Sequence, residues 1–225
     1  MKAMILAAGR GERMRPLTDR MPKPLLSVGG KPLIVYHLER LSVLGISEVI
    51  INVAYLGDKI RQALGDGSQW NLSIHYSEEP YPLETGGALN NALGLLGTEP
   101  FLLINGDVWC DIDFTLIANS DLCGGVGHLW FVKNPEHNVY GDFSLDDSCV
   151  NLKRDNIPSL TFSGLALIHP DIISTYPEKR EVFALKEVFL HFIDEKKLQG
   201  SLFLGSWCDV GTPERLQALD GLLRK

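Results

Sequence analysis

Three short, mostly apolar runs, Ala3–Leu6, Glu48–Val53 and Phe101–Asn105, alternate with longer segments whose apolar residues recur at helical spacing, Leu33–Leu44, Gly57–Leu64 and Thr85–Leu96. Runs this short and this apolar read as strands buried on both faces, and the segments between them as amphipathic helices. Such alternation predicts an α/β fold: a mixed, mostly parallel sheet with helices on both faces, a three-layer sandwich. Open sheets of this kind bind ligands beyond the carboxyl ends of their strands. The loop after Leu6 and the residue Asp107, which comes just after Asn105, are therefore expected at one sheet edge despite their separation in sequence.

The second half is richer in β signals. Gly127–Val132, Asp142–Leu145, Leu160–Ile168 and Leu202–Leu204 read as short strands, and Val182–Leu198 and Pro213–Leu223 as helices. Thr212 suits an N-cap and Pro213 the first helical position. A chain of 225 residues can bury one substantial core. A single domain over 1–225 is expected, with a first half over about 1–110 and a second over about 111–225. The polar segment Asp146–Ser159 is the weakest point for a boundary, but the stretch C-terminal to it is too short to fold alone. No linker, low-complexity tract or internal repeat interrupts the chain.

A net charge of −7 disfavours a nucleic-acid partner, because the basic residues are local rather than spread as a stripe. No stretch approaches the roughly 20 apolar residues of a membrane span. The first residues do not read as a secretory signal. The four cysteines, Cys110, Cys123, Cys149 and Cys208, have neither disulfide-motif nor zinc spacing. Free thiols in a reducing cytoplasm, and a monomer, are the expectation.

The chemistry concentrates after the first strand, in Ala7-Ala8-Gly9-Arg10-Gly11-Glu12-Arg13-Met14-Arg15-Pro16-Leu17-Thr18, with Pro22-Lys23-Pro24 close behind. Glycines expose backbone N–H groups, and four cations (Arg10, Arg13, Arg15, Lys23) meet only Glu12 and Asp19 nearby. That combination suits an anion of several charges. A dinucleotide loop would need a third glycine where Met14 stands, and a Walker A loop would need Gly-Lys-Ser/Thr; neither is present.

The run Leu-Ala-Ala-Gly-x-Gly-x-Arg-Met-x-Pro-Leu-Thr, with Pro-Lys-Pro after it, resembles the signature of sugar-1-phosphate nucleotidylyltransferases. Glu12 replaces the usual Thr or Ser before the arginine, a departure that resembles the N-acetylmuramate-1-phosphate uridylyltransferase subgroup of bacterial cell-wall recycling. Further similar segments occur in the expected order along the whole chain: Leu83-Glu84-Thr85-Gly86-Gly87, Asn105-Gly106-Asp107-Val108-Trp109, Gly141-Asp142-Phe143, Thr161-Phe162-Ser163-Gly164 and Trp207-Cys208-Asp209-Val210-Gly211-Thr212. The resemblance implies a Rossmann-like nucleotidyltransferase fold, with a nucleotide half over about 1–110 and a sugar-phosphate half over about 111–225, and Mg²⁺-dependent transfer of a nucleotidyl group from a nucleoside triphosphate, UTP favoured, to a sugar 1-phosphate.

It also implies roles. Asp107 and Asp209 would be the metal ligands, although each alone could be a turn-capping aspartate. Arg13 and Lys23 would meet phosphate oxygens, with Ala8, Gly9, Gly11 and Glu12 shaping the loop around them; a solvated lysine is the alternative for Lys23. Glu84, Gly87 and Asn105 would contact the nucleotide, while Glu84 could instead simply favour a helix N-terminus. Gly141, Asp142, Ser163 and Gly164, with Asp209, would hold the sugar phosphate, or Gly141-Asp142 could be only a turn. The histidines receive no role, and Arg10 and Arg15 stay unassigned. GTP with mannose 1-phosphate, and dTTP or UTP with glucose 1-phosphate, remain alternatives. Guanylyltransferases usually carry Leu-Gly-Thr-Ala where this chain has Leu83-Glu84-Thr85-Gly86. A silent nucleotide-sugar sensor and a dinucleotide oxidoreductase fit less well: the loop and metal residues are all kept, and no acidic ribose ligand ends the second strand.

Overall fold

The computed structural model describes residues 1–153 and 157–224. Residues 154–156, inside the polar segment considered as a boundary, lie outside the described residues. The strands are β1 (Ala3–Leu6), β2 (Ser27–Val28), β3 (Lys31–Pro32), β4 (Glu48–Val53), β5 (Ser73–Glu78), β6 (Phe101–Asn105), β7 (Val108–Cys110), β8 (Gly127–Val132), β9 (Phe143–Asp146), β10 (Cys149–Asn151), β11 (Ser159–Ile168), β12 (Leu198–Leu202) and β13 (Trp207–Asp209). The helices are α1 (Leu33–Val43), α2 (Gly57–Leu64), α3 (Glu84–Leu96), α4 (Phe114–Ala118), α5 (Asp171–Ser174), α6 (Leu185–Asp194) and α7 (Pro213–Leu223).

A mixed nine-stranded sheet runs in the order β5-β4-β1-β6-β11-β8-β12-β10-β9. It is parallel from β5 to β6 and between β8 and β12, and antiparallel elsewhere. Side chains of a strand alternate between faces. Ala3 and Ile5 accordingly pack with α1, α2 and α4, whereas Met4 packs with α3, α5 and α6. Leu102 and Ile104 of β6 join the first layer, and Phe101 and Leu103 the second. Each such buried side chain contributes about 1.5–3 kcal/mol relative to exposure. The result is the expected three layers.

Two elements of the second half differ from expectation. The helix expected over Val182–Leu198 is α6, Leu185–Asp194, started where Glu187 accepts the Ala184 N–H at 3.2 Å and ended before Lys196, which has positive φ. The strand expected over Leu202–Leu204 is β12, Leu198–Leu202, which pairs with β8 through Gly200. A third apolar cluster, Met14, Leu26, Val28, Leu33, Trp109, Val210 and Leu219, ties the first loop to β7 and α7. Thr212 caps α7, its Oγ1 accepting the Arg215 N–H.

Candidate active site

At the carboxyl edge of the sheet, Leu6 stands in register with Asn52 on one side and Asn105 on the other. A cleft of about 370 Å³ opens there, lined by Ala7, Ala8, Gly9 and residues 11–14 of the loop, by Lys23, Asn52, Glu79, Glu84, Thr85, Asn105 and Asp107, and by Gly211. The two chemistries thus meet at one edge because β1 and β6 are parallel neighbours.

The loop is braced from inside. Gly11 has φ +66°, and a Cβ there would stand 2.9 Å from Thr18 Cγ2, so the turn requires glycine. Buried Thr18 donates to the Gly11 carbonyl at 2.8 Å. The Ala7 N–H donates to Asn52 Oδ1 at 2.7 Å; Asn52 Nδ2 donates to Glu79 Oε1 at 2.7 Å; Glu79 Oε2 accepts the Leu83 N–H at 3.0 Å. This buried bridge, missed from sequence, joins the loop to the start of α3.

The four cations separate. Arg10 pairs with Glu12 and lies over the Tyr55 ring; Arg15 pairs with Glu12 and Asp19; neither lines the cleft. Arg13 and Lys23 do line it. Lys23 is buried between its prolines, and its Nζ donates to Asp107 Oδ2 at 2.5 Å. It is not the solvated lysine of the alternative reading.

Asp107 lies just beyond β6, and its carbonyl accepts the Val210 N–H at 2.7 Å. β7 and β13 pair so that Asp209 lies opposite Val108, which makes the two aspartates neighbours along the paired backbones. Asp209 Oδ1 accepts from Arg215 Nη1 at 2.9 Å and stands 2.9 Å from His137 Nε2. Arg215 and His137 were not anticipated; nothing in their local sequence signals the contact. Among the described residues no three His, Cys, Asp or Glu side chains gather as a metal cluster. A hard cation that takes two carboxylates and completes its shell with phosphate oxygens and water, as Mg²⁺ does, fits this donor set.

The other expected contacts fall differently. Ala8, Gly9, Glu12, Glu84 and Asn105 line the cleft; Glu84 opens α3 at φ +60°. Gly87 does not line it: a Cβ there would collide with the Glu181 carbonyl, and its N–H donates to Phe183 O. That glycine seats α3 against the 181–183 segment. Ser163 is buried, its Oγ donating to Trp130 O at 2.6 Å. Gly164, at φ +81° in the β11 bulge, makes room for Asn105, 2.8 Å from where its Cβ would be. Gly141 packs on Asn134, and Asp142 Oδ2 accepts from Phe162 N–H and Asn138 Nδ2. Gly141, Asp142, Ser163, Gly164 and Asp209 all lie outside the cleft lining. Trp109 is buried packing, and Trp207 donates to the Ser163 carbonyl. Beneath the site lies His37, buried and stacked on Phe114; burial, then the Arg40 charge, pushes its pKa down to about 4.

A nucleotidyl transferase family model matches residues 2–141. The chain is 49% identical to N-acetylmuramate alpha-1-phosphate uridylyltransferase of Neisseria meningitidis serogroup B, covering 99% of this chain and 98% of that protein. It is 32% identical to mannose-1-phosphate guanyltransferase of Schizosaccharomyces pombe over 95% of this chain and 62% of that protein. The solved structure of HddC from Yersinia pseudotuberculosis, complexed with GMP-PN, superposes with a TM-score of 0.80 at 26% identity, covering 98% of each chain. The glycine-rich loop, the paired aspartates and these similarities agree: the chain belongs to the nucleotidyl transferase family.

Proposed function

We propose that the protein is a single-domain cytoplasmic enzyme that transfers a uridylyl group from UTP to N-acetylmuramate 1-phosphate, releasing pyrophosphate, in cell-wall recycling. The observation that carries the transfer chemistry is the meeting of the first loop, Lys23 and Asp107 at one sheet edge. The choice of substrates is supported by the near-full-length similarity to the Neisseria protein. That no helix of the described residues is long and apolar enough to cross a membrane accords with this reading.

An oxygen of the sugar phosphate attacks the α-phosphorus in line. A new P–O bond forms as the bond to the β-bridging oxygen breaks, and its electron pair leaves with pyrophosphate. The nucleophile is already ionised, so the protein contributes placement and charge rather than a base. Amides of the Gly9–Gly11 loop and Arg13 receive the β- and γ-phosphate oxygens. Lys23 moves from Asp107 to oxygens near the reacting phosphorus. Asp107 and Asp209 would hold Mg²⁺, which supplies Lewis-acid charge at the phosphates when bound. Glu84 accepts from the base or ribose, and Asp142, whose Oδ2 is engaged by Phe162 and Asn138 and whose Oδ1 lies 3.9 Å from Lys186 Nζ, accepts from a sugar hydroxyl through Oδ1.

The test is pyrophosphate release with Mg²⁺ across UTP, dTTP and GTP against the 1-phosphates of N-acetylmuramate, N-acetylglucosamine, glucose and mannose. Release confined to UTP with N-acetylmuramate 1-phosphate is expected. Another productive pair would overturn the substrate assignment, and silence throughout would overturn the enzymatic reading. Asp107→Asn should lower turnover by at least about 100-fold with an unchanged circular dichroism spectrum. An unchanged rate removes Asp107 from the site.

A further inference from the structure

The two oxygens of Asp209 are treated unequally. Oδ1 receives Arg215 Nη1 at 2.9 Å and lies 2.9 Å from His137 Nε2. Oδ2 has no partner among the described contacts. It sits 3.2 Å from where a Cβ would stand on Gly211, and Gly211 is part of the cleft wall. With Oδ1 held, Oδ2 is left beside Gly211, at the cleft wall.

We propose that Arg215 is a positioning residue that fixes the Asp209 carboxylate for the metal, and that Gly211 is bare in order to admit it. A Cβ on Gly211 would collide with Arg215 Nη2 and stand 3.0 Å from its Cζ. The Gly211 backbone lies outside the left-handed region, so conformational freedom is not what this glycine supplies. The space is filled by one half of the guanidinium fork while the other half binds Asp209. Arg215 itself is anchored at the first turn of α7, where its N–H donates to Thr212 Oγ1, and both it and Asp209 are about four-fifths buried, with side-chain exposures of 20% and 21%. Its Nε is buried without a hydrogen-bond partner among the described residues. An unmet donor costs stability, so the guanidinium is kept in a place that packing alone would give to an apolar chain. Groups that orient a metal-binding carboxylate typically change metal affinity or activity 10–100-fold when removed.

This inference rests on the metal-pair reading of Asp107 and Asp209, and the sign of one measurement separates orientation from simple electrostatics. Arg215 is a cation beside a cation site. If it acted only through its charge, its removal would tighten metal binding. If it orients Asp209, removal weakens binding. The experiment is Mn²⁺ titration, monitored by electron paramagnetic resonance, of the full chain with an unreactive imido analogue of UTP. Wild type, Arg215→Met, Arg215→Lys, Gly211→Ala, the Gly211→Ala/Arg215→Met double variant and Asp209→Ala are compared, with thermal melts as a check on folding. Arg215→Met is expected to weaken Mn²⁺ about tenfold or more, and Arg215→Lys to restore part of the loss. Gly211→Ala, whose only severe overlap is with the movable guanidinium, should mimic Arg215→Met without strain of its own. The double variant should be no weaker than either single one, because both remove one contact. Unchanged or tighter Mn²⁺ binding in Arg215→Met overturns the proposal and leaves the metal pair standing. Multiplying effects of the two substitutions overturn the cradle role of Gly211. Equal Mn²⁺ binding by wild type and Asp209→Ala overturns the metal pair itself, and the proposal with it.

Discussion

Asn52→Ala tests whether the buried bridge behind the first loop holds the site together. Asn52 and Glu79 are 3% and 6% exposed. The asparagine accepts from the Ala7 N–H and donates to Glu79 Oε1, each at 2.7 Å. Truncation strands a buried backbone donor, which costs about 1–3 kcal/mol. It also removes a hydrogen bond to a carboxylate, about 1.5–3 kcal/mol. The lost amide leaves room for one water, which recovers part of both. A net loss of about 3 kcal/mol is therefore expected, large against a typical total of about 5–15 kcal/mol yet compatible with folding. Urea unfolding monitored by circular dichroism reads it as a lower midpoint at constant slope. A double-mutant cycle with Glu79→Ala isolates the Asn52–Glu79 pair, with a coupling of about 1.5 kcal/mol or more expected. Because the Ala7 amide anchors the phosphate loop, the KM for UTP should rise several-fold in Asn52→Ala. A loss below about 1 kcal/mol with no coupling would refute the view that this bridge sets the loop.

Other outcomes depend on single residues. His37 binds a proton at about 4 in the folded chain against its ordinary 6.5, so the unfolded chain holds more protons between those values, and the stability His37 allows is lost as pH falls through them. Urea midpoints at pH 7 and pH 5 should show wild type losing about 2 kcal/mol more than His37→Phe; equal losses would sink the assignment. Gly164→Ala should cost about 2–3 kcal/mol, from its φ of +81° and the overlap with Asn105, and should raise the UTP KM; a neutral result would show that the bulge can relax. Chelation of divalent metal should weaken UTP binding, measured by calorimetry, by more than about tenfold; metal-independent binding would contradict the paired-aspartate site.

How much could be read before folding depends on the physics of each element. β1, β4, β6 and β8 were legible to the residue because each is a short, mostly apolar run, and α7 because Thr212 and Pro213 mark its start. β5 was missed: Ser73–Glu78 is an edge strand with mixed burial and no continuous apolar signal. β7 and β13 are three residues each, and only the tertiary fold brings them together, so no local pattern announces the pairing that sets Asp209 beside Asp107. Asn52 was visible only as the polar end of a strand. Its significance needs Ala7 and Glu79 in space, and His137 and Arg215 likewise acquire meaning only from Asp209.

The charge of the loop shows how folding changes a reading made in one dimension. In sequence, four cations against Glu12 and Asp19 make a basic loop. In the fold, Arg10 and Arg15 pair with those two carboxylates and do not line the cleft. The cleft is lined by Arg13 and Lys23 against Glu79, Glu84 and Asp107, and by Glu12, the carboxylate that Arg10 and Arg15 pair. Lys23 is engaged by Asp107. Under the proposed function a triphosphate would meet these carboxylates, and Lys23 would have to leave Asp107 to reach it. Backbone amides of the loop add donors without adding charge. A divalent cation held by Asp107 and Asp209 would stand on Asp107 in place of the ammonium and offset the carboxylates beside the phosphates. The loss of UTP binding on chelation predicted above is the outcome this balance of charge requires.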